Sequence, residues 1–303
     1  MKAYPKTIHS TSDLIMDLQN KGMIIPDVAI ATEMIDQIGY YRLRGYAFHF
    51  LDKCTNKFVP ETDFDSVLQL YRFNCELSSL LFAMISKVEV ALRARLCNAL
   101  LLLDDPMIQL DPSLFKDKRL YWRNLGTLCS EISRSDEVFI AHNYINHDGQ
   151  IPIWAAVEVM SFGNLSKFIS NLHTGVGTPF SKLAGYYTYI SPKGNTATPS
   201  LDMISSWIHS IVILRNTCAH NSRIYNRSTN KCPIILDCDK QSPKPRFYGL
   251  YQMILSMKYL RPSHNEWNEF IYALNNLLIR YTDFVDIRKL HFPQDWQKYL
   301  LLP

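Results

Sequence analysis

Apolar positions recur at three- and four-residue steps through most of this chain, and alternation of period two is scarce. The longest run, 64–103, places Leu81, Ile85, Val88, Leu92, Leu96, Ala99 and Leu103 on one stripe of a long helix. Asp104-Asp105-Pro106 ends it. A second strong run begins at Pro199-Ser200 and carries Leu201, Ile204, Ile208, then Ile211 or Val212, with Arg215 along or beside the same face. Shorter amphipathic stretches precede them. Ser10-Thr11-Ser12-Asp13 opens a helix that Gly22 closes, Pro26-Asp27 opens one that runs to Ile38-Gly39, and residues 40–51 predict a third. Turn residues around Asn56 and Pro60 separate these from the long helix.

Downstream, residues 111–151 predict short helices and loops. Two helical pieces, 152–160 and 161–172, meet at a bend at Ser161-Phe162-Gly163. The stretch 174–199 is rich in Gly, Pro, Ser and Thr, with a weak helix over 180–189. A polar connector over 226–245 leads to helices over about 246–259 and 263–290, and Pro293 begins a tail. The best strand candidate, 232–236, contains Pro233, which demotes it. No repeat at a fixed period and no low-complexity tract occurs. The pattern predicts an all-α bundle in which the helix beginning at Ser200 packs on the long one, so that each buries its stripe.

With 303 residues, 47% hydrophobic and 20% charged, the chain is long enough for one large domain or two small ones with a substantial core. Net charge is +4 and the isoelectric point about 8.6, which permits a local nucleic-acid patch without demanding one. The seven cysteines, at 54, 75, 97, 129, 218, 232 and 238, include no pair with zinc-knuckle spacing. Their odd number and the lack of a signal peptide predict free thiols in a cytoplasmic protein. Lys87, Glu89, Arg93 and Arg95 interrupt the most apolar stretch, so no membrane span is expected.

Candidate chemistry concentrates in Arg215-Asn216-Thr217-Cys218-Ala219-His220, followed by Arg223, Tyr225 and Arg227. Arg presents a fixed fork of donors to a phosphate, and His moves a proton in either direction near neutral pH. Asn216 and His220 lie four apart, on one helix face, where the amide can orient the ring. Arg215 reaches the same phosphate only if the helix end is distorted or a second chain completes the site. The carbonyl end of a helix also favours a positive group at His220. A second stretch with the same spacing, Arg44 to His49, lacks the adjacent Asn and sits in an aromatic segment that predicts packing.

The Arg-Asn-x3-His core resembles the R-x4-6-H motif of HEPN ribonucleases. Its longer form resembles the abortive-infection (Abi) family of phage-defence proteins, in the AbiD/AbiF-like branch. Other stretches that carry the resemblance are Ile38 to Tyr46, Leu70-Tyr71-Arg72-Phe73-Asn74, Val88 to Arg93, Pro152-Ile153-Trp154, Glu158 to Gly163 and Phe292 to Trp296. Asn74 is the one departure, standing where an acidic residue is expected.

The resemblance implies a HEPN-like helical bundle with N-terminal and inserted elaborations. Residues 1–58 are expected to form an N-terminal helical region packed on the core, and 59–303 the domain with the motif. It implies an RNA substrate, a homodimer with a composite site, and restraint by a structured RNA or an antitoxin-like partner. Arg215, Asn216 and His220 are then the expected catalytic residues of a metal-independent endoribonuclease, with no metal or cofactor. The RNA 2′-hydroxyl attacks phosphorus, His220 acts as acid or base, and Arg215 stabilises the developing charge. Arg223 and Arg227 would grip flanking phosphates and Tyr225 would stack on a base, unless these three tie a surface loop to the core. Glu89 and Arg93 form either an intrahelical ion pair or a support in which Glu89 fixes the Arg215 fork. Residues 40–46 interleave basic and aromatic side chains, as an RNA-contacting face or as packing. The competing reading is a non-catalytic RNA-binding or scaffold protein of a toxin–antitoxin-like complex.

Overall fold

A computed structural model describes residues 8–229, 231–241 and 247–302. Its described residues are all-α, with thirteen α-helices and two very small hairpins. The axis of the molecule is α4 (Phe64–Leu100), which Asp63 caps through a 2.6 Å bond from Ser66 N–H. Leu70, Phe73, Leu77, Leu81, Ile85, Leu92 and Leu96 along α4 are fully buried. Each such side chain contributes on the order of 1.5–3 kcal/mol through removal from water, so this stripe organises the core. After Leu100 the chain tightens into a 3₁₀ turn, 101–103, as the acidic residues and Pro106 require.

Three helices precede α4: α1 (Thr11–Asn20), with a capping box at Ser10 and Asp13, α2 (Val28–Ile38), capped by Asp27, and α3 (Tyr40–Ala47). The first two pack on each other, and α3 packs on α4. A hairpin of β1 (Leu51–Asp52) and β2 (Lys57–Phe58) joins this region to α4. Beyond α4 come α5 (Lys118–Ser133), α6 (Val138–Asn146), α7 (Ile153–Val159), α8 (Phe162–Ser170) and α9 (Pro179–Gly185). The expected bend falls between α7 and α8, where the Ser161 side chain accepts from Asn164 N–H.

The helix expected over 180–189 stops earlier. Tyr189 and Ile190 instead pair as β3 (Tyr189–Ile190) with β4 (Thr196–Ala197), because Gly194 adopts a positive φ of 78° and turns the chain back. Then α10 (Leu201–Ala219), capped by Ser200, packs on α4, α8 and α11 (Leu250–Tyr259). Its Trp207, Ile208 and Ile211 are fully buried, and the expected packing of this helix on α4 is what the fold shows.

The strand candidate over 232–236, already demoted by Pro233, does not form. That segment runs along α10 instead, tied by Trp207 Nε1–H to Ile234 O at 2.7 Å and Ile234 N–H to Ser206 Oγ at 3.0 Å. The backbone donor and acceptor of Ile234 are thus satisfied by side chains rather than by a sheet partner. One expectation near the C-terminus is corrected: the helix expected over 263–290 ends as α12 (His264–Arg280). A turn and a 3₁₀ stretch, 287–290, then lead to α13 (Trp296–Leu300). Positions 230 and 242–246, in the expected connector and at the start of the following helix, lie outside the described residues. No described helix is long and apolar enough to cross a membrane.

Candidate functional site

His220 is the last half-helical residue of α10, and the local sequence explains why the helix ends there. Asn221 follows with a φ of 44°, in the left-handed region that Asn tolerates. Asn221 N–H then donates to Cys218 O at 2.9 Å, and Ser222 N–H to Thr217 O at 2.9 Å. These two bonds are the Schellman pattern, which satisfies carbonyls left open at a helix end. The consequence is that the His220 ring stands exposed at the negative end of the α10 dipole.

The chain beyond His220 is held from three directions. From α3, Arg42 Nη1 donates to Asn221 O at 2.6 Å. From α4, the fully buried Asn74 donates through Nδ2 to Ser222 O at 3.3 Å, and its Oδ1 accepts from Ile224 N–H at 2.7 Å and Tyr225 N–H at 3.4 Å. From the C-terminal turn, Asp286 N–H donates to Tyr225 Oη at 3.1 Å, and Asn226 N–H donates to Lys289 O at 3.2 Å. Asn74 gives and accepts at once, which a carboxylate cannot do. That is a physical reason for an amide at the one position where the family resemblance led us to expect an acid.

Arg215 lies one turn before the helix end and is half-buried. Its guanidinium sits 6.0 Å from the Phe82 ring centre and donates from Nη1 to Asn216 Oδ1 at 3.4 Å. Its Nε is shielded from solvent and has no partner among the described residues. The Asn216 amide oxygen thus serves Arg215 in this structure. His220 comes five positions after Arg215, which places them roughly 140° apart around an ideal helix. A single helix therefore presents the two groups to different directions.

The remaining candidates divide. Arg227 is exposed, and Arg223 is half-buried with its charge felt by Tyr46 and His49. Tyr225 is a correction: its ring is 1% exposed and packs edge-on against His49, at 5.3 Å, and Phe73, at 6.2 Å. A ring enclosed by the core offers no face to a base. Glu89 pairs with Arg93, as the i,i+4 spacing expects. Arg93, 8% exposed, also donates to Val157 O and, at 2.7 Å, to Met160 O, so the pair closes the carbonyl end of α7. Glu89 stands seven residues from Phe82 on α4, about 10 Å along the axis, and its carboxylate is engaged away from the Arg215 fork.

His49, of the second Arg–His stretch, lies half-buried between Phe50 and Tyr225. Burial, and then the charge of Lys289, hold its pKa below the ordinary value. Cys218, inside the motif, faces the core, and burial pushes its thiol up to about 12. Among the described residues no three His, Cys, Asp or Glu side chains converge closely enough to hold a metal ion.

Sequence reasoning missed Arg42 and Asn74 as the groups that hold the chain after His220. It also missed a cleft along α10 lined by His209, Ser210, Thr217, Arg227 and Lys231. One signal for the cleft was present: positions 206, 209, 213, 217 and 220 fall on one helical face.

The sequence model of one family, described as Abi-like protein, matches residues 33–226. The match runs from within α2 through the end of α10 and the segment that Asn74 holds. No curated protein and no solved structure matches the chain. More than half of the sequence falls within the family match, and on that ground the chain belongs to the Abi-like protein family, an abortive-infection family.

Proposed function

We propose that this protein is an endoribonuclease of abortive phage defence, working without a metal through Arg215, Asn216 and His220. The observation that carries the reading is the His220 ring. It is exposed at the carbonyl end of α10, on a backbone held by Arg42 and Asn74, with Asn216 exposed one turn earlier and Cys218 turned into the core. A helix end shaped to present one imidazole to solvent suits proton transfer. In this reading the substrate's 2′-hydroxyl loses its proton and attacks the adjacent phosphorus. The 5′-oxygen leaves with a proton, and the products carry 2′,3′-cyclic phosphate and 5′-hydroxyl ends. DNA resists for want of that hydroxyl.

The angular separation of Arg215 and His220 supports a composite site, in which Arg215 of one copy and His220 of another meet at one phosphate across a two-fold axis. Arg223 and Arg227 extend the basic surface. The same separation is also what a protein that holds RNA without cutting it would show, and the test distinguishes the two. Purified protein is incubated with labelled RNA in EDTA, native chain beside His220→Ala and Arg215→Ala. Cleavage by the native chain alone, with cyclic phosphate ends, supports the nuclease. RNA bound equally by all three and cut by none moves the assignment to an RNA-binding module.

A further inference from the structure

Beside the motif, α10 forms the floor of a cleft of about 400 Å³, within the size range of sites that enclose small organic groups. Its far wall is the extended segment through Pro233 that Trp207 and Ser206 pin along the helix. Inside, Leu214, Ile224, Leu250 and Met253 supply an apolar lining. Towards solvent stand His209, Arg227 and Lys231, all exposed, and among the described residues no acidic side chain lines the cleft. An apolar interior below a rim of basic and hydroxyl side chains fits a flat heterocycle joined to a phosphate.

Ser210 borders the cleft but is 6% exposed, and its Oγ is enclosed rather than open to the cleft. The end of the cleft nearest the motif is marked by Thr217, less than one turn before His220 on the same face of α10.

We propose that the cleft holds one nucleotide of the RNA strand next to the phosphodiester that reaches His220. The base lies against Leu250 and Met253, and its phosphate lies on Arg227 and Lys231. This subsite rests on the nuclease reading for its substrate, and it adds an apolar contact to a base that Arg223 and Arg227 alone would not give. His209 stands eleven residues from His220, about 16 Å along the helix, so it contacts the strand rather than the reacting phosphate.

The test measures binding of a short, fluorescently labelled, fully 2′-O-methylated RNA, which cannot be cleaved by 2′-hydroxyl attack. Native protein is compared with Met253→Trp, which fills the interior, with Lys231→Glu at the exposed rim, and with His220→Ala. The two cleft variants are expected to raise Kd about tenfold or more, and Lys231→Glu to lower the salt dependence by about one counterion. His220→Ala stays within about twofold. Unchanged binding by the cleft variants, or no binding by the native chain, overturns the subsite. If Met253→Trp fails to fold, Lys231→Glu decides alone. Displacement of the oligomer by 5′-mononucleotides at equal affinity overturns the strand assignment in favour of a free nucleotide. Unmodified RNA run in parallel separates the two readings: no cleavage with cleft-dependent binding removes the nuclease and leaves the subsite.

Discussion

Arg44–His49 and Arg215–His220 carry the same spacing, and the structure treats them in opposite ways. The first lies where α3 gives way to a 3₁₀ turn. Arg44 lies over the Phe48 ring at 5.0 Å, and the His49 ring is wedged between Phe50 and Tyr225. The second lies at a Schellman helix end that leaves the His220 ring in solvent. Two residue types at a given interval therefore carry no chemistry of their own. What separates the stretches is whether the backbone after the His is turned away from the core, and Asn221 with its left-handed φ does that only at the second. The two are also neighbours: His49 packs on Tyr225, so the first helps to hold the segment that follows the second.

The sharpest way to break this comparison is to remove each ring. His220→Ala is expected to reduce cleavage on the order of a hundredfold to ten-thousandfold while leaving stability within about 0.5 kcal/mol. His49→Ala is expected to lower the melting temperature and leave the cleavage rate of the folded fraction near native. Equal loss of cleavage in both would erase the distinction.

A third arginine sets the scale for a purely structural role. Arg93→Ala removes the partner of Glu89 and the donor to the end of α7, with an expected loss of about 3–5 kcal/mol in denaturant unfolding. If activity of the folded protein fell as steeply as with His220→Ala, Glu89 and Arg93 would belong to the site after all. Next in size is Asn74→Ala, which leaves the buried Ile224 N–H without its acceptor and is expected to cost about 1–3 kcal/mol. Cleavage should fall further than stability alone explains, because His220 is followed by the segment Asn74 holds. Activity that simply tracks the folded fraction would show that this bracing does not reach His220.

The smallest effect is one of pH. His49 and His291 both have folded-state pKa values below the ordinary 6.5, chiefly through burial. As pH falls below 6.5 the unfolded chain binds protons that the folded chain refuses, so stability present above that value is lost progressively towards the lowered pKa. Glu76 and Asp286, with lowered carboxyl pKa values, extend the same loss to more acid pH. Melting temperature at pH 7.5 should therefore exceed that at pH 5.5, and His49→Phe should narrow the gap. A gap that widens in His49→Phe would contradict the enclosed, neutral ring.

Much of the fold was legible because its signals are local. The stripe of α4, the Ser200 cap of α10 and the break at Ser161 each follow from residues within a turn or two of one another. The hairpin at 189–197 and the early end of α12 were not legible, since short strands and helix ends depend on weak turn preferences that tertiary packing overrides. In the site, a helix end at His220 could be read from the chain, while the Asn221 turn that exposes the ring emerged only with the structure. Tyr225 could not, because an aromatic residue in a basic stretch reads as a stacking surface until Phe73 and His49 are seen to enclose it.

By itself the sequence determined an all-helical chain, the helix that ends at His220, and the run of residues from Arg215 to Arg227 that the family match covers up to Asn226. Those follow from periodicity and capping, which act over a few residues. Only the tertiary structure decided that Asn74 and Arg42 brace the chain after His220, that Tyr225 and Arg93 serve the core, and that Arg227 and Lys231 meet at the rim of one cleft. Each of those depends on segments far apart in sequence, whose meeting is set by how the helices pack around α4.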